Sequence, residues 1–184
     1  KRHLLSIENL KQQAQSNSDL IRERWLYDLV TGIVKTEDAL VKGGDMGLDL
    51  IAHGYLVAII KLSISSENYA ELINAKLNIN SLIDHQEEVL CFSQSRDSIV
   101  LLLKQLVSEL LEETAYTLGQ AIKYEVERNT KCLVTIGIGS FVERIGSLSQ
   151  SYADAEKAIT FSVKTGQNLI IGIHDLNTFS EIDF

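Results

Sequence analysis

Residues 55–64 constrain the fold of this chain more than any other segment. The run reads YLVAIIKLSI, which is almost continuously apolar and rich in β-branched side chains. It lacks the alternation of polar and apolar residues that is typical of a half-exposed strand. The run therefore predicts a central strand that is buried on both faces, in a sheet that packs against helices.

The segments that follow alternate between helical and extended patterns. Two apolar runs, residues 88–93 and 98–104, are separated by a short polar turn and predict a β-hairpin. The other predicted elements are helices over residues 66–84, 105–129 and 147–166, and strands over residues 131–139 and 169–173. A break at residues 78–81 divides the first of these helices. The resulting order, β-α-α-β-β-α-β-α-β, predicts an α+β fold of the ferredoxin-like sandwich type.

In two of the predicted helices the sequence also indicates which face is buried or where the helix begins and ends. One face of helix 105–129 is apolar, comprising Val107, Leu111, Leu118, Ile122 and Val126. Ser147 and Gln150 have the spacing of a capping box at the start of the next helix, and Gly166 is its predicted C-terminal cap.

The region before the central strand is predicted to be helical. It divides into segments 3–15, 19–31 and 36–42, with breaks at residues 16–18 and near Gly32. The glycine-bearing stretch 43–54 is the natural boundary. We therefore expect an N-terminal helical linker or dimerisation segment over residues 1–44, a domain over 55–175 and a tail over 176–184. The sequence contains no proline, which favours long helices and regular strands.

Charge and composition exclude several classes of function. The formal net charge is −8, so the chain by itself is a poor candidate for binding nucleic acid. No apolar run approaches the length of a membrane span, and no secretory signal opens the sequence, which starts at Lys1 without Met and is expected to be a piece of a longer protein. Cys91 and Cys132 lie in apolar runs and are predicted to be reduced and buried, as in a cytoplasmic protein.

The most specific segment is residues 134–159. A strand ending in Gly-x-Gly is followed by a short loop and a helix that opens with Ser-Tyr and continues with alanines: Gly137, Gly139, Ser151, Tyr152, Ala155 and Ala158. This pattern, with the hairpin in third place, resembles the GGDEF domain, which has a nucleotide-cyclase-like fold. It is more similar to the degenerate GGDEF-like domain found in the middle of YesN-type (AraC-family) bacterial response regulators and, in a related form, in CdaR/PucR-type regulators. The resemblance covers residues 20–175.

The resemblance implies a role within a larger regulator. In YesN-type proteins a receiver domain precedes this region and an AraC-type helix-turn-helix region follows it. The chain would then be a homodimeric signalling module that contacts DNA only through that separate region. Whether the parent is of the YesN or the CdaR/PucR type stays open at this stage.

The resemblance also implies where cyclase chemistry would lie. Active GGDEF enzymes hold divalent metals with a carboxylate from the end of the first strand and others from a glycine-bearing hairpin turn. Here the first strand ends in Ser63 and Ser65, and the hairpin turn aligns at residues 95–99 without glycine. Ser98 stands at the catalytic Glu position, and Asp97 is the vestige of the motif. We therefore expect no catalytic residues, no metal site, no cofactor and no enzymatic activity.

Other motifs have structural interpretations. Gly43, Gly44 and Asp45 spell the first letters of the family motif but precede the first strand, so they predict a helix stop. Gly137 and Gly139 are interpreted as a structural turn and not as a phosphate cradle. Tyr152 is expected in the core, with its hydroxyl bonded to a backbone acceptor. Surface roles are predicted for two groups of side chains: Glu109, Glu112 and Glu113, and His53, His85 and His174.

Three functions remain in competition. The first is a signal-relay and dimerisation module, with the N-terminal helices as the mobile or dimer-forming part. The second is a sensor that binds a small ligand or nucleotide without turnover. The third is an active nucleotide cyclase, which the missing carboxylates disfavour.

Overall fold

The computed structural model describes residues 2–107 and 110–176, with side chains from residue 4 onward. The helices are α1 (Arg2–Val30), α2 (Thr36–Asp45), α3 (Tyr69–Ile83), α4 (Leu111–Asn129) and α5 (Leu148–Thr165). The strands are β1 (Tyr55–Ser63), β2 (Val89–Ser95), β3 (Ser98–Lys104), β4 (Leu133–Ile138) and β5 (Ile170–Gly172). Apart from Leu176, the predicted tail lies outside the described residues, as does Glu109.

The five strands form one sheet in the order β2-β3-β1-β4-β5. Strand β1 is central and antiparallel to both neighbours, with Ile60 opposite Ile99 on one side and Ile136 on the other. Strand β5 joins β4 in parallel. The first four strands have the ferredoxin-like arrangement, and the predicted α+β class is confirmed.

A hydrophobic core lies on each face of the sheet, as the sequence of β1 predicts. Leu56, Ile60 and Leu62 face helices α3 and α4. Val57 and Ile59 face the opposite layer, which is formed by α1, α2 and α5. Each fully buried aliphatic side chain contributes about 1.5–3 kcal/mol, so β1 anchors both layers.

Two predicted helix breaks are wrong. Helix α1 runs through residues 16–18 without interruption, because Ser and Asn cost only a few tenths of a kcal/mol in a helix and no Gly or Pro is present. The Gln15 amide also donates to Asp19 across this region (3.3 Å). Helix α3 is likewise single, so one helix and not two connects β1 to β2. Within it Asn78 bonds to the Asn74 carbonyl (3.0 Å), while Ile79 and Ile83 are buried.

The predicted start of helix α4 at residue 105 is also wrong. Gln105 extends the sheet: its N–H donates to the Gly54 carbonyl (2.8 Å) and its carbonyl accepts from His53 (2.9 Å). The helix begins at Leu111, and Val107 is exposed and not part of the buried face. Leu111, Leu118, Ile122 and Val126 are buried as expected.

The two ends of helix α5 match the prediction in part. Gly166 caps the C-terminus with φ 70°, as predicted. Ser147 occupies the N-cap position, but its side chain makes no capping bond. Gln150 bonds forward to Asp154 (3.2 Å), so the predicted capping box is absent. A short 3₁₀ turn, Ile145–Ser147, leads into the helix instead.

Candidate functional site

The β2–β3 hairpin and the end of β1 lie side by side, as the family resemblance implies. Arg96 and Asp97 form the turn between the paired residues Ser95 and Ser98. The Asp97 carbonyl accepts a hydrogen bond from the Leu62 N–H in β1 (2.7 Å). Antiparallel pairing of β1 with β3 thus places the last residues of β1 next to the turn. We call this region, residues 62–65 and 95–98, the hairpin end of the sheet.

Hydroxyl groups dominate the hairpin end. The Ser95 hydroxyl lies 2.8 Å from Asp97 Oδ1 and 2.8 Å from the Ser98 hydroxyl. Ser98 in turn donates to Gln94 Oε1 (3.4 Å). Residues 62–65 and 95–98 together contain one carboxylate, that of Asp97. These polar groups therefore satisfy one another and do not form a set of carboxylates around a common point.

Lys76, which the sequence did not single out, lies against this hairpin. Lys76 of α3 directs its ammonium to the Ser93 hydroxyl (2.7 Å) and the Ser95 carbonyl (2.5 Å). Burial lowers the pKa of Lys76, and the nearby Glu23 and Asp97 carboxylates partly oppose this shift. No sequence signal marks Lys76, because a lysine on a helix is ordinarily interpreted as a solvated residue.

Within residues 2–107 and 110–176, no three side chains of His, Cys, Asp or Glu are grouped so that they could share a metal ion. Divalent metals of the Mg²⁺ type need several oxygen ligands, usually including carboxylates. The hairpin end offers one carboxylate and has a bound ammonium group beside it. One carboxylate does not supply the set of oxygen ligands that a metal-bound triphosphate would need.

Gly137 and Gly139 have a packing role. A Cβ on Gly137 would lie 2.5 Å from the Ala155 carbonyl oxygen, and one on Gly139 would lie 2.0 Å from that of Ser151. The glycines therefore allow the backbone of α5 to rest directly on β4. They lie in and just after the strand, so the predicted turn is corrected to a strand–helix contact, and the α5 backbone occupies the space that a phosphate would need.

The other signature residues complete this contact. The Ser151 hydroxyl is fully buried and accepts a hydrogen bond from the Val57 N–H of β1 (2.8 Å). Ala155 and Ala158 are fully buried. Four of the six signature residues thus fit α5 against the sheet through small size, and Ser151 adds a bond to the central strand.

Tyr152 is buried, as expected, but its hydroxyl does not meet a backbone acceptor. It accepts a hydrogen bond from the Gln94 side chain of β2, and its ring meets Tyr27 of α1 edge-on, with centroids 6.5 Å apart. Burial and the neighbouring Glu156 carboxylate raise the pKa of Tyr152. Tyr152 therefore joins α5, α1 and the hairpin strand.

The other residues that the sequence singled out have packing roles or lie at the surface. Gly43 does not stop its helix: it lies within α2, where a Cβ would come within 2.7 Å of Leu50 Cδ1. Cys91 and Cys132 are free thiols; Cys132 is buried as predicted, whereas Cys91 is only partly buried. Glu112 pairs with His174 (3.0 Å), while His53 and His85 are exposed. Among the described helices, none is both long enough and apolar enough to cross a membrane.

A cleft of about 580 Å³ opens on the α5 side of the hairpin end. Its floor includes Lys61 of β1 and Ser98 of β3, and its walls include Asp97, Glu156 and Tyr27. Lys61 lies between Ser98 and Thr135 in the sheet register. The cleft combines both signs of charge with hydroxyl groups, and its size is within the range of small-molecule sites.

Solved structures of cyclases are similar to this chain at low identity. Diguanylate cyclase SiaD of Pseudomonas aeruginosa, in complex with its activator SiaC, is 16% identical with a TM-score of 0.46, covering 93% of this chain and 73% of that one. The active GGEEF domain of a Vibrio cholerae diguanylate cyclase is 14% identical with a TM-score of 0.48, covering 73% and 89%. A DGC protein from Thermotoga maritima is 17% identical with a TM-score of 0.48, covering 74% and 93%.

Curated protein sequences include none that matches the chain. Residues 31–161, well over half of its length, match the family described as the GGDEF-like domain. The match contains β1, the hairpin, the Gly-x-Gly strand and most of α5. The chain therefore belongs to the GGDEF-like domain family.

Proposed function

We propose that this chain is a non-catalytic signal-relay and dimerisation domain of a cytoplasmic bacterial transcription regulator of the two-component type. One observation carries the proposal. The hairpin end of the sheet holds one carboxylate, Asp97, and the ammonium of Lys76 bonds to the hairpin itself. Catalysis of nucleotidyl transfer depends on divalent cations that several carboxylates hold against the triphosphate, and a single carboxylate supports the absence of such a site.

The N-terminal helix supports a role in dimerisation. Only the last part of α1 packs on the domain, through Leu26, Leu29 and Val30. Leu4, Ile7 and Leu10 are 67%, 50% and 62% exposed. At about 1.5 Å per residue, a helix of 29 residues is about 44 Å long, and an isolated helical projection is marginally stable in water.

The exposed part of α1 carries a seam that suits a second copy of the chain. Ile7, Leu10, Ala14, Asn17 and Ile21 recur at alternating spacings of three and four residues. This spacing is that of a coiled-coil interface, and a single Asn within such a seam favours one register and one oligomeric state. A paired α1 would bury the side chains that a single α1 exposes.

Contacts between α1 and the hairpin strand provide a route for relay. Glu23 accepts a hydrogen bond from the Ser93 N–H of β2 (3.2 Å), and Tyr27 contacts Tyr152. A rotation or shift of α1 would have to break or remake these contacts, which changes the hairpin and α5 together. In the proposed setting, a YesN-type regulator, a receiver domain would drive α1 and an AraC-type region would bind DNA.

The absence of catalysis is tested by turnover. The chain would be incubated with GTP and Mg²⁺ or Mn²⁺, and the nucleotides would be separated by chromatography, with a diguanylate cyclase assayed in parallel. We expect no cyclic dinucleotide and no pyrophosphate above the protein-free background. Formation of product by this chain, abolished in the Asp97→Asn variant, would overturn the proposal.

The cleft on the α5 side favours a second candidate, a sensor that binds a small polar ligand without turnover. Lys61 on its floor and Asp97 and Glu156 on its walls suit a ligand that carries both signs of charge. Nucleotides and zwitterionic metabolites would be screened by thermal shift. A shift that disappears in Lys61→Met, but not in the exposed control Lys157→Met, supports the sensor; no shift with any compound rejects it.

A further inference from the structure

Strand β2 lies at an edge of the sheet. The hydrogen-bonding pattern between β2 and β3 determines which backbone groups of β2 point outward. The Glu88 carbonyl accepts a hydrogen bond from the Lys104 N–H of β3 (2.8 Å), so Glu88 and Lys104 form a hydrogen-bonded pair of the ladder. In an antiparallel ladder bonded positions alternate, so residues 88, 90 and 92 face β3. The N–H and carbonyl of Cys91 and the carbonyl of Val89 therefore point away from the sheet.

Helix α1 runs beside this edge and bonds to one of its outward backbone groups. The outward N–H of Ser93 is satisfied by Glu23, whereas the Val89 N–H bonds to the Gln86 carbonyl (3.3 Å). Between these two points the edge opens into a groove of about 520 Å³. We call it the edge groove; α1 forms one wall, the C-terminal part of α3 forms the other, and residues 89–91 form the floor.

Residues 89–91 themselves lack the side chains and bulges that usually protect an edge strand. Such edges commonly carry Lys, Pro or a bulge that prevents pairing with another chain. Residues 89–91 are Val, Leu and Cys, and the register shift in β2 lies beyond them, between Ser93 and Ser95. The open positions thus keep regular strand geometry.

The charge of the groove indicates its occupant. Three carboxylates, those of Asp19, Glu23 and Asp84, line it against one cation, Arg22. The apolar part of the lining includes Leu26, Ile83 and Val89. A second copy of this acidic chain would bring the same carboxylates against these, which disfavours pairing of β2 with β2. A basic segment would be attracted.

We propose that the edge groove binds an extended segment of a partner protein, bearing Lys or Arg, which adds to the sheet as a sixth strand beside β2. Main-chain bonds to Val89 and Cys91 would supply affinity, and the carboxylates would supply selectivity. The inference goes beyond the signal-relay function and holds whether or not the domain is catalytic. Since α1 forms one wall, a movement of α1 would alter access to the groove.

The test uses two peptides of alternating Thr and Val, one with Lys at both ends and one with Glu. Binding to the full chain is followed by NMR and by amide hydrogen exchange. In the free protein the Cys91 amide should exchange faster than the amides of Leu90 and Phe92, which face β3. The Lys-flanked peptide should slow exchange at Cys91 and bind at least fivefold more tightly than the Glu-flanked one.

Strand addition also predicts a dependence on peptide parity. Every second residue of an added strand forms backbone hydrogen bonds with β2. N-methylation of the peptide residues that form these bonds should therefore weaken its binding at least fivefold. N-methylation at the other set should leave it nearly unchanged. Equal effects at both sets, or no protection of the Cys91 amide by either peptide, would refute strand addition.

Charge reversal tests selectivity with a matched control. Asp84→Lys changes a groove carboxylate, whereas Glu87→Lys changes an exposed carboxylate that does not line the groove. We expect Asp84→Lys to reduce binding of the Lys-flanked peptide at least fivefold and to improve binding of the Glu-flanked one, with a smaller effect of Glu87→Lys. Equal effects of the two variants contradict the charge argument. Protection of Cys91 that grows with protein concentration alone identifies a second copy as occupant and overturns the proposal.

Discussion

Single residues explain why α5 and β4 pack so closely. Gly137 and Gly139 leave no room for a Cβ, because the carbonyl oxygens of α5 occupy that space. Neither glycine has a positive φ, so the requirement is steric and not conformational. This close approach also brings the fully buried Ser151 hydroxyl within hydrogen-bonding distance of the Val57 N–H in β1. A phosphate would have to displace the helix backbone to reach these glycines.

Substitution of Gly139 by Ala should therefore destabilise the domain. The new Cβ would lie 2.0 Å from the Ser151 carbonyl oxygen, which is backbone and cannot rotate away. We expect a loss of about 2–3 kcal/mol in the free energy of unfolding, measured by urea denaturation. Gly44→Ala is the control: nothing lies within 4 Å of its Cβ, and Ala favours helix. Equal stability of Gly139→Ala and the wild type would contradict the packing role.

At the scale of elements, α1 has two parts with different chemistry. Its C-terminal third contributes Leu26, Leu29 and Val30 to the core. Its N-terminal part exposes Ile7 and Leu10, and no described residue of the domain covers them. The first part fixes the helix to the sheet, and the second is available to another chain.

Charge in the α1 seam should prevent the proposed dimer from forming. The double variant Ile7→Glu, Leu10→Glu places like charges across the proposed interface, so light scattering should give the mass of a monomer, with unchanged stability of the folded domain. Gln12→Glu, on the opposite face of the helix, should leave the mass unchanged. A wild-type chain that is monomeric at high micromolar concentration, or a dimer that survives the double variant, would refute this interface.

At the scale of the whole molecule, several acidic groups retain their protons in the folded state. Burial raises the pKa of the Cys91 thiol to about 12, with Glu23 and Asp84 adding to the shift. Burial and the bond to Asp175 raise the pKa of Tyr116 to about 12. Burial also raises the pKa values of Tyr55 and Tyr152. These groups lie in different elements, so their titration affects the stability of the entire domain.

Stability should decrease at alkaline pH. In the unfolded chain Cys and Tyr side chains lose their protons near pH values of about 8.5 and about 10, while the folded chain keeps them. Between about pH 9 and 12 the unfolded state therefore binds fewer protons, and the free energy of unfolding falls as pH rises. The urea midpoint measured from pH 7 to 11 should show this fall. The double variant Cys91→Ala, Tyr116→Phe should have a flatter profile, and an identical slope would count against these two groups.

Local patterns predicted most of the fold. The apolar run of β1, the hairpin and the Gly166 cap all depend on residues adjacent in sequence, and the structure confirms them. The errors arose where distant residues intervened. Gln105 extends β3 because Gly54 and His53 bond to it, and Gln150 bonds forward to Asp154 and not back to the helix start. Periodicity within one segment does not report such partners.

The sequence by itself determined the α+β class, the two-sided burial of β1 and the presence of a single carboxylate in residues 62–65 and 95–98, because these depend on residue type and order. Only the tertiary structure decided that Lys76 bonds to the hairpin, that α5 fills the space beside Gly137 and Gly139, and that the edge of β2 is open. The physical reason is that these features depend on distances between residues far apart in the chain, and such distances are set only when the two layers pack onto the sheet.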